Sequence, residues 1–400
     1  MPAKVLGLGA ALVAGCGVAL ADASESDSGD LARATLAAET RALGERVAAA
    51  SVQPAQQGPK VGGYLQFRYM ITDADIPGGE DLANGFQIQR TRLVVSGSIG
   101  GEEGEPKFDY LFRPFAGPTG QWSILDAWVK YQVDERFTVQ AGQFKLPFWR
   151  EWLIGETFNL PVERSEVTAT FSSLYAQGVQ VGYNQDQFRA KFAFSDGLRS
   201  FNTGFTNDSE AEYALTARGE YLAFGEWGQF SDNTALNAEQ DALMFGAAIH
   251  HQGETDNFRG VEIDSLTQVT ADVSAEIGEL ALLGAGVFRL LEPAVGDETV
   301  TFGGLAQAAY LIREDVELIG RYELIAPDSD AVNDDVYHAI TGGVNWYIRG
   351  HAAKLTVDAV YSFGSPGETD VIGFGPNSST GLLNGEDEQL ALRAQFQFIF

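Results

Sequence analysis

The feature that most constrains the fold is a two-residue period in segment 389–400. One parity carries only apolar side chains, and these are Leu390, Leu392, Ala394, Phe396, Phe398 and Phe400. The other parity is mostly polar. Successive side chains of a β-strand point to opposite faces, so the pattern predicts a strand with one apolar and one polar face. A soluble antiparallel sheet can alternate in the same way. Three phenylalanines in succession on one face favour a strand that contacts lipid.

The same alternation recurs along the chain. Sixteen candidate strands lie near 61–72, 85–99, 106–116, 121–133, 136–146, 174–183, 187–197, 211–225, 241–252, 261–276, 279–291, 299–313, 316–326, 336–349, 353–364 and 388–400. Runs of roughly ten residues with this period are typical of membrane β-barrels, and an even strand number fits a closed antiparallel one. The sequence therefore predicts an all-β fold, a 16-stranded antiparallel transmembrane β-barrel with a short N-terminal helical segment.

The connectors between these strands alternate in length, as short periplasmic turns and long outer loops should. Asp134-Glu135 and Glu314-Asp315 are short, whereas 147–173 and 365–387 are long. Two connectors break the alternation, since the outer connector 117–120 is short and the inner connector 226–240 is long. These exceptions leave room for a strand count that differs by two.

Three domains are predicted. Residues 1–21 have the form of a secretory signal peptide, with Lys4, an apolar stretch and a final Ala-Leu-Ala. Alternatively, Val13-Ala14-Gly15-Cys16 resembles a bacterial lipobox that would lipidate Cys16. Residues 22–60 are predicted to form a periplasmic helical or linker segment. Its short heptad pattern is either a self-associating seam or chance periodicity. Residues 61–400 are assigned to the barrel.

Composition excludes several classes of protein. Asp and Glu number 55 against 26 Lys and Arg, a net charge of −29, so the surface repels nucleic acid. The single cysteine excludes an intramolecular disulfide framework and a CxxC redox centre. Beyond the N-terminus the longest apolar stretch, Leu280 to Phe288, stops at Arg289, too short for a membrane-spanning helix. Nine connectors hold 29 of the acids and only four basic residues, Arg150, Arg164, Arg199 and Arg259.

Basic residues on the strands lie opposite the apolar faces. By parity the lumen should receive Arg68, Arg90, Arg92, Arg113, Arg189, Lys191, Arg218, Arg321, Lys354 and Arg393. A cation facing lipid at the bilayer midplane would cost about 2–4 kcal/mol, which forces these side chains inward. Rows of Arg and Lys in a pore favour anions. The alternative is a mixed wall, because acids share the same faces, namely Asp109, Asp126, Glu220, Glu317, Glu323 and Asp358.

Arg90 and Arg92 form the closest pair among these cations. Both side chains should face water together, because Leu93 and Val95 occupy the opposite parity. Two neighbouring guanidiniums are a good oxyanion site. They are equally compatible with a pair satisfied by lumenal carboxylates, and the sequence leaves both interpretations open.

Motifs of catalysis and metal binding do not stand out. His250 and His251 are adjacent in a strand, so they point to opposite faces and cannot share a metal. The acids of 73–81 could bind calcium, but their spacing is incomplete. We therefore predict no catalytic, cofactor or metal site. Two rival classes are a barrel enzyme or adhesin that works through its outer loops and a secreted soluble β-sandwich.

Several motifs resemble those of the phosphate-selective porins O and P. They are Gln87-Ile88-Gln89-Arg90-Thr91-Arg92-Leu93, then Ala141-Gly142-Gln143-Phe144-Lys145-Leu146-Pro147-Phe148, and then Glu163-Arg164-Ser165 with Gly178-Val179. The resemblance implies a 16-stranded outer-membrane barrel, a homotrimer, and a third outer loop folded into the lumen, here 147–173. It also implies pore-lining or constriction roles for Arg90, Arg92, Lys145 and Arg164.

Two features of the chain qualify that resemblance. Lys145 shares parity with the apolar Phe137 and Val139, so it reaches the lumen only if the strand end turns it. Loop 147–173 is net negative, with Glu151, Glu156, Glu163 and Glu166 against Arg150 and Arg164, unless those acids face the wall.

The sequence thus predicts a non-enzymatic porin of the bacterial outer membrane. It would pass small anions such as phosphate by passive diffusion through a water-filled barrel. The alternative is a general or weakly selective porin for small hydrophilic solutes. Its partners would be the lipid bilayer, small anions as permeants, and two further copies of the chain in a homotrimer.

Overall fold

The computed structural model describes residues 58–74, 82–101, 105–117, 120–236, 238–328, 336–364, 379–383 and 388–400. The predicted signal peptide, the lipobox cysteine and the heptad segment lie outside these residues. So do Glu80 and Asp81 of the incomplete calcium pattern.

Seventeen strands form one antiparallel sheet in the described residues. They are β1 (Lys60–Ala74), β2 (Leu82–Ile99), β3 (Lys107–Ala116), β4 (Trp122–Gln132), β5 (Phe137–Phe144), β6 (Ala176–Asn184), β7 (Phe188–Ser195), β8 (Ala214–Phe224), β9 (Ala242–Gln252), β10 (Thr255–Phe258), β11 (Val261–Ile277), β12 (Leu280–Pro293), β13 (Thr299–Arg313), β14 (Val316–Asp328), β15 (Tyr337–His351), β16 (Ala353–Ser362) and β17 (Gln389–Ile399). Every strand pairs with a neighbour in an antiparallel register.

Sixteen of these strands close into a barrel. β10 pairs only with β11, while β11 also pairs with β9 and so continues the wall. β1 pairs with β17 from Tyr64–Ile399 to Ala74–Gln389, which closes the ring. The backbone of Gly63 adds two 3.0 Å hydrogen bonds with Phe400 at the seam. The predicted 16-stranded barrel is confirmed, and β10 is an extension of the connector that follows β9.

The outer surface of the barrel is apolar, as the alternation predicts. On β17, Phe396 and Phe398 are 42% and 48% exposed, whereas Gln395 and Gln397, which alternate with them, are almost completely buried. A surface of this kind is stable only against lipid, because it would otherwise expose row after row of aromatic rings to water. No helix in the described part of the chain is both long and apolar enough to cross a bilayer.

Both irregular connectors are present in the structure. β3 and β4 are joined by the short connector 117–121, and β8 and β9 by the long connector 225–241. Neither connector hides a further pair of barrel strands, so the barrel has the sixteen strands that the sequence predicted. One barrel end has the short turns 133–136 and 314–315, and we call it the short-turn end. The connector 225–241, the inner connector below, belongs to that end.

The connector between β5 and β6, residues 145–175, folds into the barrel and is called the inward segment below. It contains two short helices, α1 (Arg150–Leu153) and α2 (Glu166–Phe171), and a 3₁₀ turn at Glu156–Phe158. Ser165 caps α2 by accepting a 3.0 Å hydrogen bond from the Thr168 backbone N–H. This fits the third outer loop that the family resemblance implied.

The inward segment is packed on an apolar part of the lumenal wall. Phe148, Trp149, Val167 and Phe171 of the segment are fully buried. The wall residues in the same cluster include Leu283, Val287, Leu305, Ile325, Tyr337, Ala339 and Val360. At these positions of β12–β16 the inward-facing side chains are therefore covered by the inward segment, and they do not line open water as a water-filled barrel would predict. Polar and charged side chains such as Arg321 and Asp358 share the inward face of these strands.

The inner connector also enters the barrel. Its Ala235 is buried with Leu160 of the inward segment and with the lumen-facing Ala281, Ala309 and Ile319 of β12–β14. The lumen is thus narrowed from both ends on the β12–β14 side. A cavity remains on the side of β2 and β4.

Candidate functional site

The two central acids of the inward segment are neutralised by arginines of the wall. Glu163 accepts hydrogen bonds from Arg68 on β1 at 3.1 Å and from Arg90 on β2 at 2.7 Å. Glu156 pairs with Arg90 at 3.0 Å and with Arg92 at 2.8 Å. These contacts join the segment to two neighbouring strands. They satisfy Arg90 with lumenal carboxylates, one of the two interpretations that the sequence left open.

The other two acids of the segment also turn away from open space. Glu151 lies 3.4 Å from Arg321 on β14 and accepts a 2.5 Å hydrogen bond from Ser165 Oγ. Glu166 accepts a 2.7 Å hydrogen bond from Thr380. All four acids therefore face the wall or other protein groups. Arginines or other protein groups thus bind all four carboxylates, although Glu156 and Glu163 also line the cavity described below.

The same pairing fixes the charge state of the two central acids. Burial alone would raise the pKa of Glu163, but the positive charges of Arg90 and Arg68 outweigh it and lower the pKa to about 2. For Glu156, burial is likewise outweighed by Arg92, Arg90 and Arg164, and its pKa lies well below the usual range. Both groups are ionised at neutral pH.

Other predicted cations of the wall form ion pairs within the wall itself. Arg393 pairs with Asp358 at 2.7 Å, and its Nη1 donates to the Thr380 carbonyl at 2.8 Å. Arg218 lies 2.8 Å from both Asp272 and Glu220. Lys354 donates to the Asn159 carbonyl at 2.7 Å, and Arg321 to the Glu163 carbonyl at 2.9 Å. Lys354 and Arg321 therefore anchor the inward segment to the wall, whereas the ion pairs of Arg393 and Arg218 lie within the wall.

Three predicted cations lie where the wall is less covered. Arg113 is 3.4 Å from Asp126 and partly exposed. The Arg189 guanidinium lies 4.1 Å from the ring centre of Trp227 on the inner connector. Lys191 is exposed and makes no ion pair within the described residues.

Lys145 reaches the lumen because β5 ends one residue before it. Gly142 has a φ of +125°, and a Cβ at that position would lie 2.1 Å from the Ala127 carbonyl oxygen, so only glycine fits. Beyond this kink Lys145 turns inward and donates to the Trp152 carbonyl at 2.6 Å. Its Nζ also lies 4.7 Å from the Trp152 ring centre, and the Arg164 guanidinium 4.6 Å.

Between the inward segment and the wall of β2–β4 lies a cavity of about 370 Å³, which we call the arginine chamber. Its charged lining residues are Arg90, Arg92, Arg164, Arg199, Arg259, Glu156 and Glu163. Five guanidiniums against two carboxylates make the chamber net positive. Its uncharged lining residues include Leu125, Trp152, Leu174 and Tyr175. A chamber of this charge attracts small anions.

Arg199 and Arg259 are the two chamber arginines that we did not predict as site residues. They come from separate connectors, β7–β8 and β10–β11, and both donate to the Ala169 carbonyl at the end of α2. Neither makes an ion pair with another residue of the described ranges. Burial and then the charges of Arg259 and Arg289 lower the pKa of Arg199. The signal that could have found them is their rarity, since the acidic connectors contain only four arginines and three line the chamber.

The histidines that could have bound a metal do not come together in the described residues. His250 is buried and bonds Thr216, while His251 lies on the other face and bonds Thr267, so the two do not meet. No group of three His, Cys, Asp or Glu in the described ranges is arranged to hold a metal ion.

The sequence profile described as phosphate-selective porin O and P matches residues 61–280, more than half of the chain. No curated protein matches the sequence.

Solved structures share the barrel at low sequence identity. The chain is similar to an anion-selective porin from Comamonas acidovorans, with a TM-score of 0.61 and 15% identity over 86% of this chain and 99% of that one. It is also similar to the outer membrane channel DcaP of Acinetobacter baumannii (TM-score 0.58, 11% identity, 87% and 99% covered). The trimer form of the outer membrane protein OmpT of Vibrio cholerae gives a TM-score of 0.57 and 13% identity, with 86% and 100% covered.

Proposed function

Since the chain belongs to the family of phosphate-selective porins O and P, and is thus a porin of the bacterial outer membrane, we propose that its arginine chamber is the filter that favours anions. The short-turn end then faces the periplasm, and solutes enter at the other end. Transport is passive diffusion through the lumen. No catalytic step is involved, and phosphate is one of the anions that the chamber would admit.

The single observation that carries this proposal is the excess of guanidinium groups in the chamber. Arg90 forms ion pairs with Glu156 and Glu163, so its charge adds little to the positive potential of the chamber. Arg199 and Arg259 form no ion pair with a carboxylate in the described residues, although the charge of Glu166 acts on Arg259, and both donate to one carbonyl. An anion that passes between them replaces some of its hydration with charge-assisted hydrogen bonds. The name of the Comamonas porin, an anion-selective one, agrees with this assignment.

The alternative is a general porin with weak selectivity. It is favoured by the ion pairs of the wall, in which Arg113, Arg218 and Arg393 each have a carboxylate partner. A mixed wall of that kind discriminates little between cations and anions.

The reversal potential of single channels in a KCl gradient separates the two functions. We expect a chloride-preferring potential for the natural chain. The double variant Arg199→Gln/Arg259→Gln should shift the potential towards potassium, because it removes two chamber cations that form no ion pair in the described residues. Arg313→Gln is the matched control, since Arg313 lies on an exposed turn beside Asp315 and outside the chamber. A potential near zero for the natural chain would support the general porin instead.

We also propose that the protein is a homotrimer embedded in the outer membrane. The trimer form of the Vibrio cholerae protein has the same barrel at low identity. The heptad pattern of the N-terminal segment offers a second, independent contact between copies.

A further inference from the structure

The arginine chamber is lined by both charged and apolar side chains. Its guanidiniums come from β2, the inward segment and two outer connectors, and Trp152, Leu174 and Leu125 line the same space. The cavity of about 370 Å³ is large enough for a dozen waters at roughly 30 Å³ each. A bare phosphate ion would leave much of it filled with water.

Trp152, on α1 of the inward segment, is held in place by its neighbours in the chamber lining. Its indole N–H donates to the Leu174 carbonyl at 2.6 Å, and its ring packs edge-to-face with Tyr175, with centroids 5.6 Å apart. Arg164 and Lys145 lie over the indole. The side chain is still partly exposed, so it offers apolar surface to a solute beside two cations.

Two buried donors of the chamber have no partner in the described residues. They are the Ser172 hydroxyl and the Arg92 Nη1 group, whose side chains are almost completely buried. Together with Arg199 and Arg259 they give an anionic head group several hydrogen-bond donors in the lining of the chamber. Unsatisfied buried donors are costly, so a bound acceptor is favourable there.

We propose that the chamber selects organic carboxylates with an apolar body over inorganic phosphate, and that Trp152 is the specificity-determining residue. This inference rests on the anion function proposed above. Such a carboxylate has one charged end and one apolar end, which match the cations and the apolar side chains that line the chamber. Phosphate is hydrated on all sides, and an apolar wall cannot replace the waters that it would displace.

The test is block of the chloride current in planar bilayers by three probes at neutral pH: benzoate, acetate and inorganic phosphate. We expect benzoate to block at about tenfold lower concentration than acetate, since burying much of one ring is worth about 1.4 kcal/mol. Phosphate should block no better than acetate. Equal block by benzoate and acetate, or tighter block by phosphate, would overturn the inference.

Three variants locate the effect. Trp152→Ala should abolish the preference for benzoate, whereas Trp152→Phe should keep it, because it retains an apolar ring. Trp346→Ala is the matched control, since Trp346 is on the lipid-facing surface of β15. A benzoate preference that survives Trp152→Ala would overturn the role of Trp152.

The reversal potential is recorded in the same experiment and separates the two claims. A chloride-preferring potential without a benzoate preference defeats the inference about carboxylates and leaves the anion channel intact. A potassium-preferring potential defeats the anion channel, and the inference with it.

Discussion

Glu163 joins three strands of the barrel to the inward segment. Its carboxylate accepts from Arg68 on β1 and Arg90 on β2, and its backbone carbonyl accepts from Arg321 on β14. All of these side chains are buried, so each charge depends on the others for compensation. One carboxylate thereby decides whether the segment can remain against the wall.

Removing that carboxylate should be costly. In Glu163→Gln, Arg68 loses its acidic partner and Arg90 keeps only Glu156, and we expect the free energy of unfolding to fall by about 3–5 kcal/mol. The measurement is equilibrium unfolding in detergent followed by circular dichroism. Asp315→Asn is the control, because Asp315 pairs with Arg313 on an exposed turn, and such pairs contribute little. Equal stability of the two variants would show that the buried pairs do not hold the segment.

The same carboxylate predicts a pH dependence. The pKa of Glu163 is about 2 in the folded protein, below the usual value of about 4.3 for a free glutamate. Its stabilising effect is therefore complete above that usual value and is lost as the pH falls towards 2. We expect the channel current to become noisier over this range, as the segment loosens. Glu163→Gln should be noisy already at neutral pH and change less on acidification.

At the scale of elements, two connectors rather than the strands shape the lumen. The inward segment is fastened by apolar packing through Phe148, Val167 and Phe171 and by its ion pairs. The inner connector supports it from the short-turn end, since the Phe230 carbonyl accepts a 2.5 Å hydrogen bond from Arg150 on α1. Asp232 of the connector lies 3.4 Å from His351 at the end of β15, a contact that becomes an ion pair only when the imidazole is protonated.

Shortening the inner connector should widen the passage. Replacement of residues 225–241 by an Asn-Gly turn leaves β8 and β9 joined by a two-residue hairpin of a type that suits antiparallel strands. We expect a larger single-channel conductance, because the connector occupies lumenal space beside Leu160. As a control, deletion of 204–206 removes the almost fully exposed Phe205 and should leave the conductance unchanged. No increase in the first variant would mean that the connector lies outside the ion path.

Across the whole molecule, the negative net charge lies mostly in the connectors and not in the proposed filter. The chain carries a net charge of −29, largely in its connectors, yet the chamber is net positive. Charges at the mouth are screened over about 8 Å at physiological salt, whereas the chamber cations are within hydrogen-bond reach of a passing ion. A strongly acidic protein can therefore favour anions.

The proposed trimer is testable on the whole protein. Light scattering in detergent should give the mass of three chains. If the heptad contributes, Leu36→Asp/Leu43→Asp should lower the temperature at which trimers dissociate, because charges at seam positions oppose association. The barrel spectrum by circular dichroism should not change. A single-chain mass for the natural protein under mild detergent conditions would contradict the trimer.

Much of this architecture follows from the sequence alone, for a local reason. Side chains of a strand alternate by covalent geometry, so period two in segments such as 389–400 determined the sixteen strands and the lipid-facing side. Parity likewise determined that Arg68, Arg90 and Arg393 point inward, because lipid excludes charge.

Only the tertiary structure decided what those inward side chains meet. Whether Arg90 faces an ion or Glu163 depends on where the inward segment lies, and that position arises from contacts between residues far apart in the chain. The same is true of the chamber, which Trp152, Arg199 and Arg259 reach from different connectors. Alternation records which face of a strand meets lipid, but the interior of a barrel is filled by connectors, whose paths depend on long-range packing and charge pairing.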